Sequence, residues 1–176
     1  SKSLNNFFLV KDVLEHYNPD ALRFFLISNH YRSPLDFSDE RLEEMTRSLE
    51  RLGTSIDNVL ELLDMPAGAK SEESAQLMAD AKANEEAFEE AMCDDFNTAL
   101  ASAAMFDLAK KVNIYKDAVV NNGVPIDSSV VSEVKRIFKT MTDILGILEE
   151  RWSGQKGGAS SKDYNDLMDA ILEIRQ

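Results

Sequence analysis

Residues 38–63 read SDERLEEMTRSLERLGTSIDNVLELL, and the spacing of their apolar residues indicates the fold class. Its apolar residues recur in steps of three and four, which is the spacing of one buried face on an amphipathic helix. They are Leu42, Met45, Leu49, Leu52, Ile56, Val59, Leu60 and Leu63. Ser38 is a suitable N-cap, and Pro66 and Gly68 follow the pattern as helix-ending residues. The stretch therefore predicts one long helix with a single buried stripe.

Three more helices are predicted to follow this one. Ser71 opens the next helix, and Asn97 caps a third that ends at Gly123. The fourth runs from about Ser128 to Leu148. Because short turns join the four helices, residues 38–152 are predicted to form an antiparallel helical bundle.

The segments on either side of the bundle differ from it. Residues 1–37 combine a short apolar run with two short helices, and we expect a small mixed subdomain there. Residues 153–161 are rich in Gly and Ser, which is typical of a flexible linker. Residues 162–176 carry the pattern of one more amphipathic helix. The fold prediction is thus mainly α, and because the chain opens without Met and stops within a helix, we expect it to belong to a longer protein.

The charge distribution restricts where a nucleic acid could bind. The 176 residues carry a net charge of −13, and residues 36–95 hold 18 acids against five bases. Such an acidic stretch repels phosphate, so a nucleic acid would have to be held by the nearly neutral flanks. No apolar run approaches the roughly 18 residues that a membrane span needs, so no membrane partner is expected.

Cysteine and histidine usage argues against a metal or redox site. Cys93 is the one cysteine, which excludes an internal disulfide and favours a cytoplasmic location. We expect its side chain to be a small buried filler, because the acids at 94 and 95 disfavour a thiolate. His16 and His30 lack a second metal ligand at a suitable spacing. No G-x-S-x-G, Walker or dinucleotide-binding motif is present, so the sequence predicts no complete active site.

Four short segments carry a resemblance to a known family. Residues 1–3 (Ser-Lys-Ser) resemble the end of the Lys-Met-Ser-Lys-Ser loop of class I aminoacyl-tRNA synthetases. Residues 20–23 (Asp-Ala-Leu-Arg) match the tetrapeptide that names the DALR helical domain of these enzymes. Residues 30–38 (HYRSPLDFS) and 94–100 (DDFNTAL) are similar to stretches of the cysteinyl-tRNA synthetases in particular. The chain therefore resembles the C-terminal part of that family, beginning inside the signature loop.

This resemblance implies a role inside a larger enzyme. Complete members use ATP to form cysteinyl-adenylate and then transfer cysteine to tRNA(Cys). Lys2, with Ser1 and Ser3 beside it, would bind the ATP phosphates. The family's nucleotide-binding domain and its zinc-bound cysteine site lie upstream, so this chain alone should contain no catalytic residue, hold no metal and be inactive. Residues 1–37 would form the stem-contact fold, and the bundle would lie along the tRNA. The expected partners are tRNA(Cys) and the catalytic domain of the same chain, within a monomer.

Basic residues outside the acidic stretch are candidate tRNA contacts. Arg32, beside Tyr31, suits a phosphate or stacking contact with the acceptor limb. The candidates in the bundle are Lys110 and Lys111 on its third predicted helix and Lys135, Arg136 and Lys139 on its fourth. If those two helices are neighbours, their basic residues would form one strip; the other possibility is a solvated face with ordinary charge pairs. For Arg23, inside a mostly apolar helix, we favour a structural ion pair with Asp20 or another acid.

Two other hypotheses remain open at this point. One is the related cysteine ligase of mycothiol biosynthesis, which resembles the synthetase through the signature loop and attaches cysteine to an amino sugar. The other is a free-standing helical interaction module that has only the bundle in common with the synthetases.

Overall fold

The computed structural model describes residues 10–153 of the chain, and within that range the chain forms seven helices and no strand. The helices are α1 (Val10–His16), α2 (Pro19–Ile27), α3 (Asp39–Asp64), α4 (Glu72–Cys93), α5 (Thr98–Asn122), α6 (Ser128–Leu145) and α7 (Glu149–Trp152). The prediction of a mainly α fold with a helical bundle is confirmed. Among the described helices, none is both long and apolar enough to cross a membrane. The predictions for the signature loop at residues 1–3, most of the linker and the last helix lie outside the described residues.

Side-chain caps begin three of the bundle helices at the predicted positions. The Ser38 hydroxyl accepts a hydrogen bond from a backbone N–H in the first turn of α3, 3.3 Å away. Ser71 and Ser74 cap α4 reciprocally, each hydroxyl accepting from the other residue's backbone N–H at 3.1 and 3.0 Å. Asn97 caps α5 by accepting from the N–H of Leu100 at 3.1 Å. Each cap satisfies an N–H group that has no partner inside its helix.

The prediction that the fourth bundle helix reaches Leu148 is wrong. α6 ends at Leu145, because Gly146 adopts the left-handed conformation, with φ of 67°, that ends many helices. The next residue, Ile147, returns its N–H to the carbonyl of Thr142 at 3.1 Å and is fully buried. The apolar pattern therefore continues past the glycine although the helix does not.

The four long helices surround one hydrophobic core. α5 packs against α3 and α4, and α6 packs against the same two helices from the opposite side, so α5 and α6 touch each other only over a short stretch. The largest core side chains that are almost completely inaccessible to solvent are Leu52, Ile56, Leu62, Met105, Leu108, Ile137, Phe138 and Met141. Burial of each such side chain is worth about 1.5–3 kcal/mol. This shared core makes the bundle one packed unit.

The short helices α1 and α2 dock onto one end of the bundle. Phe24 on α2 enters the main core and lies beside Phe106 of α5, with 6.0 Å between ring centroids. Phe25, the next residue, forms a second and smaller cluster with Val13 of α1 and Leu42 of α3. Two adjacent phenylalanines thus hold α2 to two different helices of the bundle.

α7 brings the end of the described chain back onto α3 and α6. Arg151 binds Asp57 of α3 through two hydrogen bonds, of 2.8 Å from Nε and 2.6 Å from Nη2. Trp152 packs edge-on against Phe138 of α6, with 5.7 Å between ring centroids. These contacts close the bundle at the end where α2 also docks.

Candidate nucleic-acid interface

The loop after α2 meets the turn between α4 and α5. The hydroxyl of Tyr31 donates a hydrogen bond to Oδ1 of Asp95 at 2.8 Å, and Nη2 of Arg32 lies 3.0 Å from Oδ2 of the same carboxylate. The hydrogen bond to Asp95 is the main reason why the pKa of Tyr31 is raised. Two segments that are distant in the sequence are therefore joined at one carboxylate.

Tyr31 and Arg32 are already engaged with neighbouring groups. The ring of His30 stacks on Tyr31 with 4.8 Å between centroids, and the guanidinium of Arg32 lies 5.3 Å from the Tyr31 centroid. Both Tyr31 and Arg32 remain largely exposed to solvent. Because Asp95 neutralises Arg32, a phosphate would have to compete with that carboxylate, and contact of these two residues with tRNA stays a prediction.

The turn that carries Asp95 has an unusual backbone. Asp95 and Phe96 both adopt the left-handed conformation, with φ of 54° and 53°, which costs roughly 1–2 kcal/mol for each residue with a side chain. Phe96 is 69% exposed as a result of this geometry. Phe96 could not be singled out from the sequence, because an aromatic residue just before an N-cap is too unspecific a signal.

The basic side chains of α5 are mostly paired with acids on neighbouring helices. Lys111 lies 3.4 Å from Asp80 of α4, and Lys116 lies 2.7 Å from Glu61 of α3. Lys110 is exposed and forms no ion pair with any residue between 10 and 153. Of the two candidates on this helix, Lys110 therefore keeps its charge free.

The basic side chains of α6 are also divided into those that are paired with acids and one that is not. Arg136 binds Glu85 of α4 at 2.8 Å and Glu133 of its own helix at 2.9 Å, and these bonds raise the pKa of Arg136 and lower that of Glu133. Lys139 pairs with Asp143 at 2.5 Å, one turn further along the helix. Lys135 forms no ion pair within the described part of the chain.

The single basic strip considered from the sequence does not form. It required α5 and α6 to be close neighbours, whereas they lie on opposite sides of the bundle. The candidates Lys110 and Lys111 therefore sit apart from Lys135, Arg136 and Lys139. Whether any of these five residues contacts RNA stays a prediction for each side chain separately.

A groove between α3 and α5 brings together residues that the sequence did not connect. It has a volume of about 440 Å³, and its lining includes Arg51 and Ser55 from α3 and Phe106, Lys110 and Asn113 from α5. Arg51 was not recognised from the sequence because it lies in the acidic stretch. The available signal was its place on α3 at the border of the apolar stripe, where Arg51 is exposed and Ser55, one turn later, is buried.

A second groove, between α4 and α5, has the opposite character. It has a volume of about 500 Å³ and is lined in part by Glu90, Asp94 and Asp107, beside the exposed Leu100. Its carboxylates would repel a phosphate backbone.

No group of three or more His, Cys, Asp and Glu side chains within residues 10–153 is arranged to hold a metal ion. Cys93 is exposed, so the expectation that it is buried is wrong. The physical reason is its helical position: Ala91 belongs to the buried stripe of α4, and a residue two places later points to nearly the opposite face.

Arg23 lies against Gly146 instead of forming the expected ion pair. A Cβ atom added to Gly146 would be only 2.5 Å from Nη1 of Arg23. No carboxylate in the described range pairs with this guanidinium. The role of Arg23 at this position is thus one of packing against the backbone just after α6.

Comparison with known proteins places these features in a family context. The family model described as the class I (C) tRNA synthetase catalytic domain matches residues 1–47, and the DALR domain model matches residues 87–149. A protein named cysteine–tRNA ligase from Desulforamulus reducens is 40% identical over 190 residues, covering 100% of this chain and 38% of the relative.

Two proteins of the same name with lower identity show a similar extent of match. The relative from Methylococcus capsulatus is 35% identical, covering 100% of this chain and 36% of its own length. The relative from Thermococcus onnurineus is 33% identical, covering 99% of this chain and 36% of its own length. The chain spans a little over a third of the length of these relatives, and it belongs to the cysteine–tRNA ligase family of class I aminoacyl-tRNA synthetases.

Proposed function

We propose that this chain is the tRNA-contacting part of a cysteine–tRNA ligase, whose complete enzyme activates cysteine with ATP and transfers it to tRNA(Cys). The observation that carries the proposal is the 40% identity to the ligase of Desulforamulus reducens along the entire chain. The mycothiol-pathway ligase and the free-standing module are not favoured, because the relatives compared above are all named as cysteine–tRNA ligases.

The division of labour along the chain is part of the proposal. Residues 1–37 would form the stem-contact fold next to the catalytic domain, and residues 38–152 would lie along the tRNA. The docking of α2 onto α3 and α5 supports this arrangement, since its core contacts join residues 19–27 to the bundle. Lys2, flanked by Ser1 and Ser3, would bind ATP phosphates in the complete enzyme.

The chain alone is proposed to be inactive in cysteine activation. The class I catalytic model matches only residues 1–47, and the described residues offer no fit for the zinc ion that the family uses. ATP and zinc are therefore assigned to the complete enzyme. Pure chain should show no cysteine-dependent exchange between ATP and pyrophosphate, and measurable exchange would overturn this part of the proposal.

The electrostatics of the bundle favour weak backbone contact with tRNA over base reading. Most basic side chains on α5 and α6 are paired with acids, so phosphates must compete for them. Contacts of this kind position an RNA without reading its sequence. The chain should accordingly discriminate poorly between tRNA species.

The direct test is binding of the 176-residue chain to tRNA(Cys) and to a non-cognate tRNA across a salt series from about 50 to about 200 mM. We expect binding to both that weakens steeply with salt, because neutralising phosphates releases condensed counterions. An absence of binding at the lowest salt would overturn the proposal that this part of the enzyme grips tRNA.

A further inference from the structure

We propose that the groove between α3 and α5 binds the sugar–phosphate backbone of tRNA through Arg51 and Lys110. This inference rests on the proposed function, because it takes a tRNA as the partner. It adds a location and a residue, Arg51, that neither the sequence pattern nor the resemblance to the family indicated.

Charge is the first argument for this groove. Within residues 10–153, the basic side chains that are paired with carboxylates are Arg32, Arg47, Lys111, Lys116, Arg136, Lys139 and Arg151. Arg51 and Lys110 have no carboxylate partner in that range, and they line the same groove from two different helices. In a chain with a net charge of −13, two free cations at one groove make it a favourable place for an anion.

The orientation of Arg51 is the second argument. Its Nη2 donates to the hydroxyl of Ser48 at 3.0 Å, and its guanidinium carbon lies 5.9 Å from the centroid of Phe106. The hydrogen bond uses one of the five N–H donors of an arginine, so the others remain available for phosphate oxygens. A guanidinium already held by two neighbours loses less side-chain entropy on binding.

Lys110 completes the groove from the opposite wall. It follows Phe106 by four residues on α5, so the two side chains lie on one face of the helix. The lysine ammonium would act as a point charge next to the directional donors of Arg51. Together they place two positive charges along the groove.

The acids near the groove do not cancel this charge. Asp117 lines its far end, about 10 Å along the helix from Lys110 at 1.5 Å per residue. That separation equals roughly one Debye length at 0.1 M salt, so screening reduces the repulsion that Asp117 exerts on a phosphate near Lys110. Glu61 of α3 is neutralised by Lys116 at 2.7 Å.

The test compares charge-removing variants of the 176-residue chain in tRNA binding at several salt concentrations. We expect Arg51→Gln combined with Lys110→Gln to weaken binding about 10-fold near 0.1 M salt. The slope of log affinity against log salt should fall by about 2, or roughly 0.9 for each phosphate that the variant no longer neutralises. Arg51→Lys keeps the charge and should preserve the slope.

The matched control is Lys82→Gln, which removes one positive charge from an exposed position on α4 away from the groove. It should leave the salt slope unchanged, and the helical circular dichroism of every variant reports that it folds. If the double variant binds with unchanged affinity and slope while the parent chain binds tRNA, the groove inference is wrong and the proposed function stands. If the parent chain binds no tRNA at low salt, the groove inference and the proposed function are both wrong.

Discussion

The carboxylate of Asp20 accepts a hydrogen bond from the backbone N–H of Leu148, with 2.8 Å between Oδ2 and N. The two residues are 128 positions apart in the chain. Leu148 has a left-handed backbone, with φ of 58°, and it immediately precedes α7. This bond ties the first turn of α2 to the connection between α6 and α7, next to the place where Arg23 covers Gly146. The Asp-Ala-Leu-Arg motif thus anchors the short N-terminal helices to the bundle.

Replacing Asp20 should therefore weaken the whole fold. We expect Asp20→Ala to lower the free energy of unfolding by about 1.5–3 kcal/mol, the usual contribution of a hydrogen bond to a charged group. Urea denaturation followed by the fluorescence of Trp152, the one tryptophan, measures the change. Asp36→Ala is the matched control, since Asp36 is exposed and has no hydrogen bond or ion pair within the described residues. Equal decreases for the two variants would show that the Asp20 bond contributes nothing.

A second prediction concerns the indole of Trp152. Its Nε1 donates to the hydroxyl of Thr142 at 2.9 Å, and Thr142 is completely buried. Thr142→Val keeps the shape and leaves this N–H without its acceptor, so the free energy of unfolding should fall by about 1–3 kcal/mol. The same change at Thr140, which is exposed, should alter it by less than about 0.5 kcal/mol. A decrease at Thr142 as small as that at Thr140 would contradict the assignment.

The positions of the helices could be predicted because their signals are local. A cap such as Ser71 or Asn97 acts within one turn of its own helix, and Gly123 ends α5 through its own left-handed backbone. The end of α6 was missed although Gly146 carries the same signal, with the same φ of 67°. The two residues after it, Ile147 and Leu148, are apolar and continue the core pattern, and this pattern predicted a helix that extends past the glycine.

The placement of the helices around the core could not be predicted in the same way. Four helices that each carry one apolar stripe can surround a core in more than one circular order. The separation of α5 from α6, the pairing of Arg136 with Glu85 and the meeting of Arg51 with Lys110 all depend on which order is adopted. Averaging charge over a stretch of sequence hides such pairs, which is why Arg51 was overlooked.

The bond between Arg151 and Asp57 provides a third prediction. It is bidentate, with contacts of 2.8 and 2.6 Å, and the arginine side chain is only 19% exposed. In a double-mutant cycle with Arg151→Gln and Asp57→Asn, we expect a coupling free energy of about 1 kcal/mol, at the upper end for partly exposed pairs. The cycle is measured by urea unfolding of the four proteins.

The reference for this cycle is the pair Arg47 and Glu43, which lie 3.8 Å apart on the exposed face of α3. Its coupling should be about 0.3–0.5 kcal/mol, typical of pairs one turn apart on a helix. Should both cycles give the same small value, the contact of α7 with α3 would not be a significant link in the fold.

The last prediction concerns acid stability and Asp127, the N-cap of α6. Its Oδ1 accepts hydrogen bonds from the backbone N–H of Ser129 at 3.0 Å and from the Ser129 hydroxyl at 2.5 Å. The bond from the Ser129 side chain is the main cause of a lowered pKa at Asp127. Because the folded state favours the ionised form, its contribution to stability is present above the ordinary pKa of 3.8 and is lost as the pH falls below that value.

Asp127→Asn removes the negative charge and keeps the N-cap, because asparagine caps a helix about as well as aspartate does. At neutral pH the variant should be less stable than the parent chain by about 1 kcal/mol, since it lacks the charge-assisted bonds. Urea unfolding at decreasing pH should show this difference shrinking towards zero below the ordinary pKa of the carboxyl group. Asp36→Asn, at an exposed carboxylate with no partner among the described residues, is the matched control for the removal of one carboxylate. A difference at Asp127 that stays constant down to the lowest pH would mean that the ionised carboxylate does not stabilise the start of α6.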